Sequence, residues 1–231
     1  MSKKVAILQS NYIPWKGYFD LINSVDEFIL YDDVQYTKKD WRNRNLIKTQ
    51  QGIKWITIPV LHKYTNQLIK DTKIADNRWT NKHWAILSQN YSKAHHFKEY
   101  KDIFEELYLN CTDEYLSQIN YKFIVAINKI LDIDTKISWS SEFNLVDGKT
   151  EKLISICKDC NAQNYLSGPT AKDYFDERLA EKANIKVEWM DYSDYPEYKQ
   201  LHPPFDHRVS IIDLIFNEGS NSKYFTNMFK K

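Results

Sequence analysis

Residues 5–31 carry the pattern that most restricts how this 231-residue chain can fold. Val5-Ala6-Ile7-Leu8 is a short apolar run with β-branched members, and residues 9–17 form a loop marked by Pro14 and Gly17. Residues 18–23 show helical spacing through Phe19 and Ile22, after which Phe28-Ile29-Leu30-Tyr31 is a second apolar run halted by Asp32 and Asp33. A strand, loop, helix and strand in that order build a parallel sheet with a right-handed crossover.

The rest of the chain extends this unit. A polar, basic stretch covers residues 35–51 and closes at Gly52; residues 54–60 then alternate like a strand, and residues 67–74 can pair with it as a hairpin. The middle third is helical. Trp79, His83, Ile86 and Leu87 share one face, as do Ile103, Phe104 and Leu107, and Leu116, Ile119, Phe123, Ile127 and Ile130 form a stripe with Asp113 as its N-cap. Strand and helix alternate again from residue 135: strands at 136–139, 164–166 and 185–189, helices at 150–160, 171–184 and 209–217. The expected architecture is α/β, a mainly parallel, Rossmann-like sheet forming a single domain over residues 1–231, with a helical lobe at about 76–133.

Charge and composition narrow the function. With 32 Lys plus Arg against 31 Asp plus Glu the net charge is +1, which argues against a nucleic-acid surface, though a local basic patch survives inside that balance. No apolar run approaches the ~20 residues that span a bilayer, so membrane insertion is not expected. The N-terminal residues lead directly into a strand with no signal-peptide region, and three Cys make no disulfide framework; a cytoplasmic location is expected. The 16 Tyr, 11 Phe and 7 Trp are an excess that suits a core with wet edges or a stacking pocket.

Three loops carry the candidate chemistry. The loop at residues 9–18 follows the first strand, where open α/β sheets place ligands. Its Gln9 and Asn11 can orient a polar group, Tyr12, Trp15 and Tyr18 offer rings, and Gly17 permits close approach; the bland alternative is that Pro14, Trp15 and Tyr18 pack a tight corner. Asp32 and Asp33 end the second strand and are candidate proton acceptors. After them come Lys38, Trp41, Arg42, Asn43 and Arg44, cations among rings and amides that suit phosphate or carboxylate, against the alternative of a solvated loop. The third loop, Ser167-Gly168-Pro169 through Tyr174, is a strand end opening a helix, with Thr170 as the alternative N-cap; it lacks the Walker and dinucleotide glycine patterns.

Other motifs are weaker. His83 is a candidate base that can equally be a packing residue; His95-His96 point apart on a helix and make a poor metal pair. Cys157-Lys158-Asp159-Cys160 lacks two further zinc ligands and lies on an apolar helix face, which favours two buried thiols. His202 and His207 lie in an aromatic, Pro-rich loop that can lid a crevice, and Asp213 sits among apolar helix neighbours. No metal is assigned and the cofactor is open.

Trp15-Lys16-Gly17-Tyr18 occupies the place of the His-x-Gly-His segment of the nucleotidylyltransferase superfamily, so the fold is distantly similar to that type. Both histidines are absent, which withdraws support for nucleotidyl transfer. A fuller resemblance is to the WbqC-like family: Val-Ala-Ile-Leu-Gln-x-Asn-Tyr-x-Pro-Trp-x-Gly-Tyr-Phe at residues 5–19, Asp32-Asp33-Val34-Gln35-Tyr36, Trp41-Arg42-Asn43-Arg44, Trp79 with His83, Tyr165-Leu166-Ser167-Gly168-Pro169 and Ser210-Ile211-Ile212-Asp213. Ser10 departs from the Pro associated with that position. The resemblance implies a bacterial protein of surface-polysaccharide or O-antigen assembly. The expectation that follows is an enzyme transferring an acyl or aminoacyl group to the amine of a nucleotide-linked sugar, with Asp32, Asp33 or His83 as proton acceptor. A non-catalytic saccharide- or partner-binding module is the alternative, and single-stranded nucleic acid a third reading.

Overall fold

A computed structural model describes residues 2–227. The chain runs β1 (Lys4–Leu8), α1 (Lys16–Asn23), β2 (Glu27–Leu30), β3 (Arg44–Thr49), β4 (Gly52–Thr57), α2 (Arg78–Tyr91), α3 (Phe97–Leu109), α4 (Leu116–Ile130) and β5 (Lys136–Trp139), then α5 (Lys149–Asp159), β6 (Asn164–Ser167), α6 (Glu177–Lys182), β7 (Lys186–Trp189) and α7 (Ile211–Glu218). Five strands form one sheet in the order β5-β2-β1-β6-β7, and every pair in it is parallel. The fold is α/β and Rossmann-like, as the opening unit requires.

Alternation along β1 explains why both sheet faces are covered. Val5 and Ile7 point to one side, where α5 and α6 deliver Leu153, Ile156, Cys157 and Ala180. Ala6 and Leu8 point to the other, onto α1 and a core that continues through α2, α3, α4 and α7. Phe28 and Leu30 of β2 join Ala6 on that second face, while Ile29 joins Val5.

From β1 the chain moves outward to β2 and then β5, and afterwards returns to lay β6 and β7 on the opposite side of β1. The order therefore reverses between β1 and β6. Loops leaving those two strands diverge and leave a gap at their carboxyl ends, the usual ligand position in such sheets.

Three local expectations are corrected. The hairpin pairs β3 with β4 from Arg44 opposite Thr57 to Thr49 opposite Gly52, whereas residues 67–74 make only isolated bridges, such as Leu68 with Gln35 and Ile74 with Val60. Five consecutive residues of β3, Asn45 to Thr49, are buried, so the period-2 signal that marks a half-exposed strand is missing there. The helix expected over 171–184 is instead a 3-10 turn, Pro169–Asp173, followed by α6, which has its own N-cap: Asp176 accepts from the Arg178 amide at 3.0 Å. Asp113 does not cap α4, which starts after Tyr115; its carboxylate meets Lys122 at 3.1 Å.

Candidate functional site

A cavity of about 710 Å³ opens at the switch point. Gln9 and Trp15 come from the loop after β1, Trp41 and Arg42 from the segment after β2, and Ser167, Gly168, Pro169, Thr170 and Tyr174 from the turn after β6. The three loops thus share one crevice. Lys149 at the start of α5 and Tyr192 after β7 complete its rim, and Ile7, Leu8 and Tyr165 lie in its wall.

Loop backbone cannot satisfy itself by a sheet ladder, so buried side chains hold the first loop in place. Asp32 accepts the Ser10 amide at 2.9 Å, and Asn45 Nδ2 donates to the carbonyls of Tyr12 and Ile13, each at 3.0 Å. Asn120 Nδ2 donates to Ser10 Oγ at 3.0 Å and to the Arg42 carbonyl at 2.9 Å, tying the first loop to the second. The Tyr12 amide reaches the Trp41 carbonyl at 3.1 Å. Gly17 serves a different purpose from ligand approach: a Cβ there would lie 2.6 Å from Cη2 and 2.8 Å from Cε2 of Trp15. Its absence lets the indole fold back over the start of α1, where it meets Tyr192 edge-on at 5.2 Å between ring centres.

The wall chemistry is one-sided. Arg42 and Lys149 are cations, and among the described residues no Asp or Glu lines the cavity. Arg42 donates from Nη1 to Asn11 Oδ1 and from Nη2 to Gln9 Oε1 at 3.4 Å; Asp40, outside the wall, is 3.7 Å from Nη2. Six rings, Trp15, Tyr31, Trp41, Tyr165, Tyr174 and Tyr192, share the lining with these cations. Burial raises the Tyr31 phenol to about 12 and pushes up those of Tyr174 and Tyr192, so all three keep their protons at neutral pH and can donate. Cations, amides and flat rings without an acid suit an anionic, ring-bearing ligand.

A larger depression of about 1020 Å³ lies elsewhere, between α3 and α4, where Ile103, Leu107, Val125 and Ile130 form an open apolar groove. Its polar lining mixes acids with cations, Glu106 and Asp113 beside Lys122 and Lys129, and none of it comes from a loop at the carboxyl end of β1 or β6. The switch-point crevice is therefore the stronger candidate.

The expected proton acceptors are all engaged elsewhere. Asp32 is 1% exposed and accepts from Ser10 and from Ser117 Oγ, its carboxyl raised by burial. Asp33 pairs with Lys70 and accepts from Ser140 Oγ at 2.7 Å. His83 lies in α2, buried between Tyr12 Oη, 2.9 Å from Nδ1, and the Thr57 carbonyl, 3.2 Å from Nε2. None of the three lines the crevice.

Other expected ligand residues divide similarly. Tyr12 and Tyr18 are core residues, and the Tyr18 hydroxyl donates to the Gln9 carbonyl at 3.1 Å. Asn43 Nδ2 donates to the Ile58 carbonyl at 2.8 Å; Arg44 lies over the Trp55 ring at 4.0 Å and donates to the Lys39 carbonyl; Lys38 is exposed outside the wall. His202 meets the Asn90 carbonyl at 2.9 Å and His207 packs edge-on to Phe205, neither in the crevice. Cys157 and Cys160 are buried free thiols, and among the described residues no group of three or more His, Cys, Asp or Glu forms a metal site. No described helix is long and apolar enough to cross a membrane.

Sequence reasoning missed Lys149, Tyr31 and Tyr192. A signal existed for Lys149: Asp147-Gly148-Lys149 opens α5 at the close of the connection that follows β5, with Gly148 at φ +94°.

Comparison with known proteins places these features in a group. The model of the WbqC-like protein family matches residues 9–224, a range containing all three crevice loops. Over 221 residues, 95% of this chain and 96% of the relative, the sequence is 50% identical to the uncharacterized protein Rv1507c of Mycobacterium tuberculosis. No solved structure matches.

Proposed function

The chain belongs to the WbqC-like protein family, and from that premise we propose that it is an enzyme of surface-polysaccharide precursor assembly that binds a nucleotide-linked amino sugar in the switch-point crevice and transfers an acyl or aminoacyl group to the sugar amine. One observation carries the reading: two cations and six rings, with no acid, line a cavity of about 710 Å³ where an α/β sheet reverses its strand order. Arg42, pre-oriented by Asn11 and Gln9, takes the diphosphate, Lys149 screens its charge from the rim, and the indoles and phenols face the base.

In the transfer the amine lone pair attacks the acyl carbonyl carbon. A C–N bond forms, the bond from that carbon to its carrier breaks, and the carrier leaves with the electron pair. With Asp32, Asp33 and His83 engaged in the fold, the amine reacts unprotonated, and its proton passes to water or to the departing carrier. The protein contributes position and charge.

The same engagement favours a second reading, a cytoplasmic, non-catalytic saccharide- or partner-binding module, which at this crevice would hold the nucleotide sugar without turnover. Incubation of the purified protein with amino-sugar nucleotides and a panel of acyl thioesters, read by mass spectrometry for the N-acylated sugar, separates the two. Product above the protein-free rate supports the enzyme; binding in calorimetry without product supports the module; no nucleotide binding defeats both. Single-stranded nucleic acid predicts a steep salt dependence of oligonucleotide binding, which the +1 net charge argues against.

A further inference from the structure

Beside Trp15 and Trp41 lies a second, smaller chamber of about 260 Å³, lined by Asn11, Pro14, Asn45 and Arg208 together with those two indoles. Both tryptophans also line the large crevice, so the two chambers adjoin at these rings. Arg42 stands at the junction. Its guanidinium donates to Asn11, which lines the small chamber, and to Gln9, which lines the large one.

Arg208 reaches this chamber from the far end of the chain because the segment before α7 is tied down. The Ser210 amide donates to the Leu46 carbonyl at 2.8 Å and the Ile211 amide to the Pro14 carbonyl at 2.9 Å. Asp206 holds the guanidinium through Nε at 3.1 Å and Nη2 at 2.8 Å, while among the described residues Nη1 has no partner. Asn11 Nδ2 is likewise without one.

We propose that the small chamber is the sugar subsite of a nucleoside diphosphate sugar, with the nucleoside in the large chamber, the diphosphate at Arg42, and Arg208 and Asn11 reading the sugar's polar substituents. This division rests on the nucleotide-sugar reading above. Size supports it, since about 260 Å³ falls below the range for a drug-sized ligand while about 710 Å³ lies within it. So does the chemistry: a pyranose offers an apolar face to indoles and hydroxyl, amide or acidic groups to a guanidinium and a primary amide. The junction guanidinium matches the order of the parts, because in such a molecule the diphosphate lies between nucleoside and sugar.

Calorimetry on the full chain tests this with matched pairs: UDP and UDP-N-acetylglucosamine, GDP and GDP-mannose, dTDP and dTDP-glucose. For at least one pair the sugar nucleotide binds about tenfold tighter than its diphosphate. R208Q, at a side chain 73% exposed, removes that gain and leaves diphosphate affinity and melting temperature unchanged, whereas R42Q weakens both members of the pair. A diphosphate that binds with no sugar-dependent gain, or a gain that survives R208Q, overturns the division and leaves the nucleotide reading standing. No binding of any nucleotide overturns both.

Discussion

Tyr12 Oη lies 2.9 Å from His83 Nδ1 and 2.7 Å from Tyr108 Oη, where the loop after β1 meets α2 and α3. The other ring nitrogen of His83 faces the Thr57 carbonyl, which can only accept, so the proton is assigned to Nε2. Nδ1 then accepts from Tyr12, and Tyr12 accepts from Tyr108. The relay leaves no lone pair for a substrate amine, and burial lowers the imidazole pKa to about 4, keeping the ring neutral.

A pH dependence follows from that ring. Above its ordinary 6.5 both folded and unfolded chains carry it uncharged; between 6.5 and about 4 the unfolded chain takes up a proton that the folded one refuses. Stability therefore falls as pH drops through this window, by at most about 3.5 kcal/mol from this group. Urea unfolding at pH 7, 5.5 and 4.5 on the natural protein and on H83Q reads it: the loss is smaller in the variant. Equal slopes in the two proteins refute the assignment.

Lys16 gives the opposite window. It is 3% exposed at the start of α1, with Nζ donating to the Pro196 carbonyl at 3.1 Å and standing 4.7 Å from the centre of the Tyr195 ring. Burial lowers its pKa from 10.5 to about 8. Below pH 8 the ammonium is charged in both states and the cost of burying it is complete; between 8 and 10.5 only the unfolded chain holds the proton, so stability rises with pH. K16M removes this rise and stabilises the fold at pH 7 by about 1–2 kcal/mol, the net of a relieved charge and a lost hydrogen bond. Chemical denaturation at pH 7 and 9.5 measures both effects, and a less stable K16M at pH 7 contradicts the argument.

How far the sequence discloses such a site depends on the range of the physics involved. The parallel unit was readable because β1, α1 and β2 are local and their apolar periods are clean. The hairpin is hidden in the sequence because Asn45, Lys48 and Thr49 look solvent-bound there and are buried by partners far along the chain, such as the Tyr91 hydroxyl that accepts from the Lys48 amide at 2.9 Å. Carboxylates and imidazoles attract a catalytic reading for the same reason. Nothing near Asp32 in sequence announces Ser117, eighty-five residues away, as its partner. Arg42, Trp15 and Trp41 were legible because a strand end places them at the crevice, whereas Arg208 arrives only through tertiary hydrogen bonds to Pro14 and Leu46.

Gly17, in the first turn of α1, and Gly168, in the turn after β6, respond differently to one added methyl. Gly168 has φ −69°, open to any residue, and a Cβ there would sit 3.8 Å from Tyr192 Oη inside the crevice. G168A keeps stability within about 0.5 kcal/mol and weakens nucleotide binding. G17A has no such room and must push the Trp15 indole aside, which changes tryptophan emission and lowers the melting temperature. Thermal unfolding, fluorescence and calorimetry on the pair check this contrast; a G168A protein as unstable as G17A contradicts it.

Asp32 discriminates a scaffold carboxylate from a catalytic one. Both of its oxygens accept hydrogen bonds, from the Ser10 amide and from Ser117 Oγ, and burial has removed it from solvent. In D32N one of those oxygens becomes an NH2 that cannot accept. If the NH2 faces the Ser10 amide, two donors oppose each other and the loop carrying Gln9, Asn11 and Trp15 loses its anchor. If it faces Ser117, the hydroxyl can rotate and accept, so that the cost is smaller. A buried donor left unpaired costs about 1–3 kcal/mol. The expected D32N protein is therefore destabilised by at most that amount, and it loses nucleotide affinity together with any transfer rate to the extent that the loop shifts. A D32N protein of unchanged stability and affinity but abolished turnover places a proton-transfer role on this carboxylate and overturns the scaffold assignment.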